Sequence, residues 1–127
     1  METKEQQVEI KNFINGKFER SGQESLNVES PTDGSIITTI PLSTSNDVDK
    51  AVKAASEAYE NWSTITLKER THIFFRYRSL LEENIHELTE LIVLENGKSY
   101  NEAKAEVEKS MELCEFAISL PQIISNE

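Results

Sequence analysis

The stretch from Glu90 to Glu102, Glu-Leu-Ile-Val-Leu-Glu-Asn-Gly-Lys-Ser-Tyr-Asn-Glu, limits what this chain can fold into more than any other. Its apolar run closes at Asn96-Gly97, where glycine can take the left-handed conformation that ends a helix. Ser99 with Glu102 three residues on has the spacing of a capping box, which opens a new helix. One helix must stop and another start within a few residues. This corner fixes how the helical half of the chain folds back on itself.

The chain before the corner reads as short strands and then helices. The first ten residues, polar and acidic up to Glu9, are expected to form a loose terminus. Residues 11–41 carry strand signals. In Phe13-Ile14-Asn15-Gly16-Lys17-Phe18 an Asn-Gly pair sits between apolar residues, and a type I′ hairpin turn needs positive φ at both central positions. Leu26 and Val28 alternate with polar neighbours, Pro31-Thr32-Asp33-Gly34 supplies turn chemistry, and the β-branched run Ser35 to Ile40 is closed by Pro41.

Residues 44–120 are expected to form four amphipathic helices. Thr44 with Asp47 caps the first, whose Val48, Ala51, Val52, Ala55, Tyr59 and Trp62 fall on one stripe expected to be buried. Thr66 with Glu69 caps the second, where Ile73, Phe74, Tyr77, Leu80 and Leu81 share a face flanked by Arg70, Arg76 and Arg78. Asn84 with Glu87 is expected to cap the third, which carries Ile85, Leu88, Leu91, Ile92 and Leu94. The fourth aligns Ala103, Val107, Met111, Cys114 and Ile118, and Pro121 is expected to limit its extension. The fold class of this segment is therefore α+β, with short antiparallel strands followed by four helices.

Charge and cysteine usage narrow the function classes. With 13 Lys and Arg against 23 Asp and Glu, the net charge of -10 argues against nucleic acid or an anionic membrane as partner. The length of 127 residues suits one domain, or one piece of a larger one. A single cysteine excludes an internal disulfide. With no long apolar run and no secretory leader pattern, the expected setting is cytoplasmic.

Few residues offer chemistry. Cys114 could be a nucleophile if a base or a helix N-terminus lowered its pKa. It falls deep within the fourth helix on the apolar stripe, near Glu112 and Glu115 in sequence, and reads as a core residue. His72 and His86 lie on different predicted helices with no second ligand at metal-binding spacing, so no metal site is expected. The carboxylates read mainly as solvated helix faces, and Tyr59 and Trp62 as stripe anchors. Only four glycines occur, and none follows a strand in a glycine-rich turn that opens a helix around a pyrophosphate.

Several of these segments together carry a resemblance. The hairpin Phe13 to Phe18, the strand and turn Asn27-Val28-Glu29-Ser30-Pro31-Thr32-Asp33-Gly34, the helix ending in Trp62, the pair Glu69-Arg70 and the run Leu94-Glu95-Asn96-Gly97-Lys98 resemble, in order and spacing, the N-terminal part of an aldehyde dehydrogenase. Phe75-Arg76-Tyr77 with Leu80, and Glu115-Phe116-Ala117 with Pro121, are similar to the CoA-acylating methylmalonate-semialdehyde dehydrogenases. The resemblance implies an α/β parent fold and places residues 1–127 in its NAD-binding domain. It also implies a reaction in which a cysteine thiolate attacks an aldehyde, hydride passes to NAD, and the acyl group is released to CoA.

In the resembled family the phosphate-binding turn, the oxyanion-hole asparagine and the nucleophilic cysteine lie further along a longer chain. No position here matches them, and Cys114 is not that cysteine. The chain alone is therefore expected to be inactive, with no catalytic, metal or cofactor site of its own, and its partner is expected to be the remainder of the enzyme. The resemblance marks Lys109 as a substrate-binding candidate, because subfamily members often place an arginine there against the semialdehyde carboxylate. Lysine keeps the charge without the two-pronged geometry, and an ion pair with Glu106 or Glu112 accounts for it equally well. A competing reading is a stand-alone acidic helical interaction module. Under either, apolar helix faces bearing Phe74, Leu88, Ile92 and Met111 suggest a homo-oligomer.

Overall fold

The computed structural model describes residues 10–124, so the expected loose terminus lies, save for Ile10, outside the described residues. The chain divides between Ser63 and Thr64 into two compact units.

In the first unit β1 (Asn12–Ile14) and β2 (Lys17–Glu19) pair antiparallel across Asn15-Gly16, whose φ angles of 51° and 75° are those the hairpin turn requires. The register sets Phe13 opposite Phe18, with ring centroids 4.9 Å apart. A second antiparallel pair, β3 (Ser25–Glu29) and β4 (Ile36–Pro41), places Leu26 against Ile40 and shifts register at Val28/Glu29. The intervening turn is held by Asp33, which accepts from the Ser35 N–H at 3.0 Å and the Ser35 hydroxyl at 2.7 Å.

Helix α1 (Ser45–Trp62) begins on a shared carboxylate. Asp47 Oδ2 accepts from the Thr44 N–H at 2.8 Å, the Thr44 hydroxyl at 2.7 Å and the Ser21 hydroxyl at 2.7 Å. One buried side chain thus closes the helix N-terminus and anchors the β2–β3 connection to it. That connection runs against the end of β4. A Cβ on Gly22 would lie 2.2 Å from the Leu42 carbonyl oxygen, and the φ of 63° there also calls for glycine.

The expected buried stripe of α1 is not buried. Val48, Val52 and Tyr59 are 57–66% exposed, Ala55 and Trp62 are exposed too, and only Ala51 is half-covered. The period was read correctly, but within this unit the hairpin packs only near the start of the helix.

The second unit is helical: α2 (Leu67–Glu83), α3 (Ile85–Asn96) and α4 (Tyr100–Ile124). Both α2 and α3 pack against α4 and touch each other little. The α4 stripe is the predicted one, with Ala103, Val107 and Cys114 buried and Met111 and Ile118 half-buried. Thr71 and Thr89 are buried as well, which is tolerable because their hydroxyls donate to the Lys68 and Ile85 carbonyls at 2.7 and 2.6 Å. Gly97 ends α3 at φ 65°, ψ 21°, giving its N–H to the Val93 carbonyl. Glu102 then accepts from the Ser99 N–H and hydroxyl at 3.1 and 2.6 Å to start α4.

The Ile73, Phe74, Tyr77 and Leu80 face of α2 is 39–54% exposed, while Thr71 is buried. Two expectations need correction here. Asn84 takes the N-cap position of α3, its carbonyl accepting from the Leu88 N–H at 3.0 Å, but its side chain makes no capping hydrogen bond there. Its side chain donates back to the Leu80 carbonyl at 2.8 Å and finishes α2, so α2 and α3 abut with no loop. Nor does Pro121 stop α4, which continues to Ile124.

The Asp47 cluster has a pH signature. The Thr44 N–H, then the Ser21 and Thr44 hydroxyls, lower its pKa to about 2. The unfolded value is about 3.9, so this stabilisation is fully present above about pH 4 and is lost as pH falls through the folded value. Asp47→Asn should melt at a lower temperature than the parent chain at pH 7, and the gap should narrow toward pH 2. A gap that stays constant across thermal melts at different pH would show that the carboxylate charge is not the tie.

Candidate functional site

Cys114 is 6% exposed on the inner stripe of α4. Its neighbour Glu115 turns away, accepting from Arg78 Nε at 2.7 Å, and Arg78 also gives Nη1 to Glu82 at 2.7 Å. These two carboxylates, Glu115 first, raise the Arg78 pKa above its already high value and tie α2 to α4. The buried thiol sits among the packing groups of α4.

Lys109 stands on the exposed face of α4, and its ammonium lies 2.6 Å from Glu112 Oε2. Glu106, the other carboxylate considered for it, is paired with Lys98. His86 Nδ1 lies 2.7 Å from the Tyr100 hydroxyl across the α3–α4 corner, and His72 is exposed on α2. Among the described residues no group of three or more His, Cys, Asp or Glu is placed to hold a metal ion. No described helix is long and apolar enough to cross a membrane.

The residues also do not suit a dinucleotide. All four glycines have positive φ, yet Gly16, Gly22 and Gly34 each precede a strand and Gly97 joins two helices. None forms a strand-to-helix turn whose N–H groups could cradle a pyrophosphate.

What the fold does assemble is a groove of about 330 Å³ between α2 and α3, lined by Tyr77, Leu81, Leu88, Leu91 and Ile92 with Val107 of α4. Glu95, Glu106 and Ser110 complete its lining. Helical periodicity placed these side chains on apolar faces. That α2 and α3 would straddle α4 and leave a gap required the packing.

The sequence profile of the aldehyde dehydrogenase family matches residues 18–127. The chain belongs to the aldehyde dehydrogenase family. Malonate-semialdehyde dehydrogenase 1 of Geobacillus kaustophilus is 39% identical over 126 residues, which is 98% of this chain and 26% of that protein. Malonate-semialdehyde dehydrogenase 2 of Bacillus thuringiensis is 43% identical over 116 residues, 91% of this chain and 24% of its own length. A Sinorhizobium meliloti crystal structure, assigned as a methylmalonate-semialdehyde dehydrogenase complexed with NAD, superposes with a TM-score of 0.87 at 29% identity, over 93% of this chain and 24% of that one. The chain thus has an aldehyde dehydrogenase-like fold, corresponds to the amino-terminal segment of the family, and spans about a quarter of the length of the curated relatives it matches.

Within this aldehyde dehydrogenase segment, burial makes the cysteine a probe of folding. Cys114 should react with a thiol reagent far more slowly in the folded chain than in denaturant, and Cys114→Ser should cost about 1–3 kcal/mol through a poorly satisfied buried hydroxyl. Equal modification rates in both states would mean that α4 does not present this face to α2 and α3.

Proposed function

We propose that this chain serves as the amino-terminal structural part of the NAD-binding domain in a CoA-acylating aldehyde dehydrogenase that acts on malonate semialdehyde or its methyl-substituted form. The observation that carries this reading is the match to malonate-semialdehyde dehydrogenases through 91–98% of the chain, which spans only about a quarter of theirs. The open apolar faces of α1 and α2 support it, since helices with such faces belong against further structure. The remainder of the enzyme is the partner that would cover them, in a cytoplasmic setting.

NAD, when bound by later segments, supplies the hydride acceptor. The residues present here contribute scaffold. Lys109 is the candidate contact for the substrate carboxylate, since its exposed pairing with Glu112 is of the kind worth little in water and readily exchanged. The second reading, a self-sufficient interaction module, draws on the way α4 buries its stripe within the second unit alone.

The 127-residue chain by itself should bind no NAD in calorimetric titration and form no NADH with aldehydes and CoA. Saturable binding, or turnover above a protein-free control, would overturn the structural assignment. Reading the gene beyond the codon for Glu127 separates the two proposals. An open frame with a glycine-rich turn and a later cysteine supports the enzyme, and an immediate stop supports the module.

A further inference from the structure

We infer that Asn15-Gly16 is a site of spontaneous covalent modification, where the Asn15 side-chain amide closes on the Gly16 backbone nitrogen and reopens as aspartate or isoaspartate. Glycine permits this closure best, because no Cβ hinders the approach to its nitrogen. The chain holds three pairs of the required kind, Asn15-Gly16, Asp33-Gly34 and Asn96-Gly97. All three are exposed, so local geometry and not access decides between them.

Two of the three are protected. The Gly97 N–H donates to the Val93 carbonyl at 2.9 Å, and Asn96 is held as the last residue of α3. The Gly34 N–H donates to the Ser30 carbonyl at 2.9 Å. There Asp33 also accepts from the Ser35 hydroxyl and N–H, which lower its pKa and keep it a carboxylate, a poor target for attack. The third pair has neither safeguard. The Gly16 N–H has no acceptor, and the Asn15 side chain no partner, among the described residues. A Cβ built on Gly16 would meet nothing within 4 Å, so the turn stands in open space. It joins strands of only three residues each, and so short a ladder opens locally at low cost.

Water is the only other reactant. The Gly16 nitrogen gives its proton to hydroxide and attacks Asn15 Cγ. The N–Cγ bond forms, the Cγ–Nδ2 bond breaks, and Nδ2 leaves as ammonia with a proton taken from water. Water then opens the cyclic imide at either carbonyl. Opening at Cγ gives aspartate, and opening at the main-chain carbon gives isoaspartate, whose main chain runs through Cβ and Cγ. The loop closed by the Ile14–Lys17 pair then gains a main-chain atom, and the turn that sets Phe13 opposite Phe18 is lost.

The test is to age the folded 127-residue chain at mildly alkaline pH and then digest it with trypsin. Peptides 12–17 and 79–98 carry the two Asn-Gly pairs separately. Mass spectrometry reads the conversion of amide to acid, and enzymatic methylation of isoaspartyl carboxylates reads the rearranged product. Peptide 12–17 should convert about tenfold or more faster than 79–98 in the folded chain, and the two rates should converge in denaturant. Asn15→Gly keeps a turn-compatible residue at the positive-φ position, so it should abolish the signal from 12–17 with circular dichroism unchanged. An unmodified 12–17, or equal conversion of both peptides in the folded chain, would sink the proposal. So would a gap as wide in denaturant, which would place the difference in sequence and not in structure, or a signal from 12–17 that survives Asn15→Gly.

Discussion

Helices α1, α2 and α4 all begin with the same device, a carboxylate three residues inside the helix that reaches back to the capping residue. Asp47, Glu69 and Glu102 each accept from both the backbone N–H and the hydroxyl of Thr44, Thr66 and Ser99. A helix N-terminus otherwise leaves its first N–H groups unsatisfied, and a Ser or Thr cap is typically worth about 1 kcal/mol. The hydrogen bonds lower the pKa of all three carboxylates, which keeps them charged where the helix dipole favours negative charge. Three of the chain's 23 acidic residues are thus placed where they start helices. Only at Asp47 does the device also recruit a distant residue, Ser21, and so become tertiary.

These starts were legible because a capping box is a local code, with Ser or Thr followed three residues on by Asp or Glu. The Asn-Gly hairpin and the Gly97 stop were legible for the same reason, since each depends on backbone conformations that few residues adopt. Asn84 defeated that logic. Its amide could serve the helix behind it or the one ahead, and the absence of any loop between α2 and α3 gave it to Leu80. Gly22 carried no readable signal, because its constraint comes from Leu42, which is far off in sequence.

Periodicity told which residues share a side of a helix but not whether anything covers that side. On α4 the two coincide. Ala103 and Val107 are small enough for α2 and α3 to approach, and Cys114 follows at the same phase. On α1 and α2 much of the apolar stripe is exposed. Lys109 was placed by resemblance alone, and its geometry shows an exposed intrahelical pair whose function depends on what lies opposite.

Pro121 gives α4 an uneven mechanical character. It has no N–H for the carbonyl of Ala117, so one rung of the backbone ladder is missing just before the last turn. Helices α2 and α3 pack against α4, and past the proline Ile123 and Ile124 are more than half exposed. A change in bend at Pro121 would therefore re-aim these two side chains while the stripe through Ala103, Val107 and Cys114 kept its alignment.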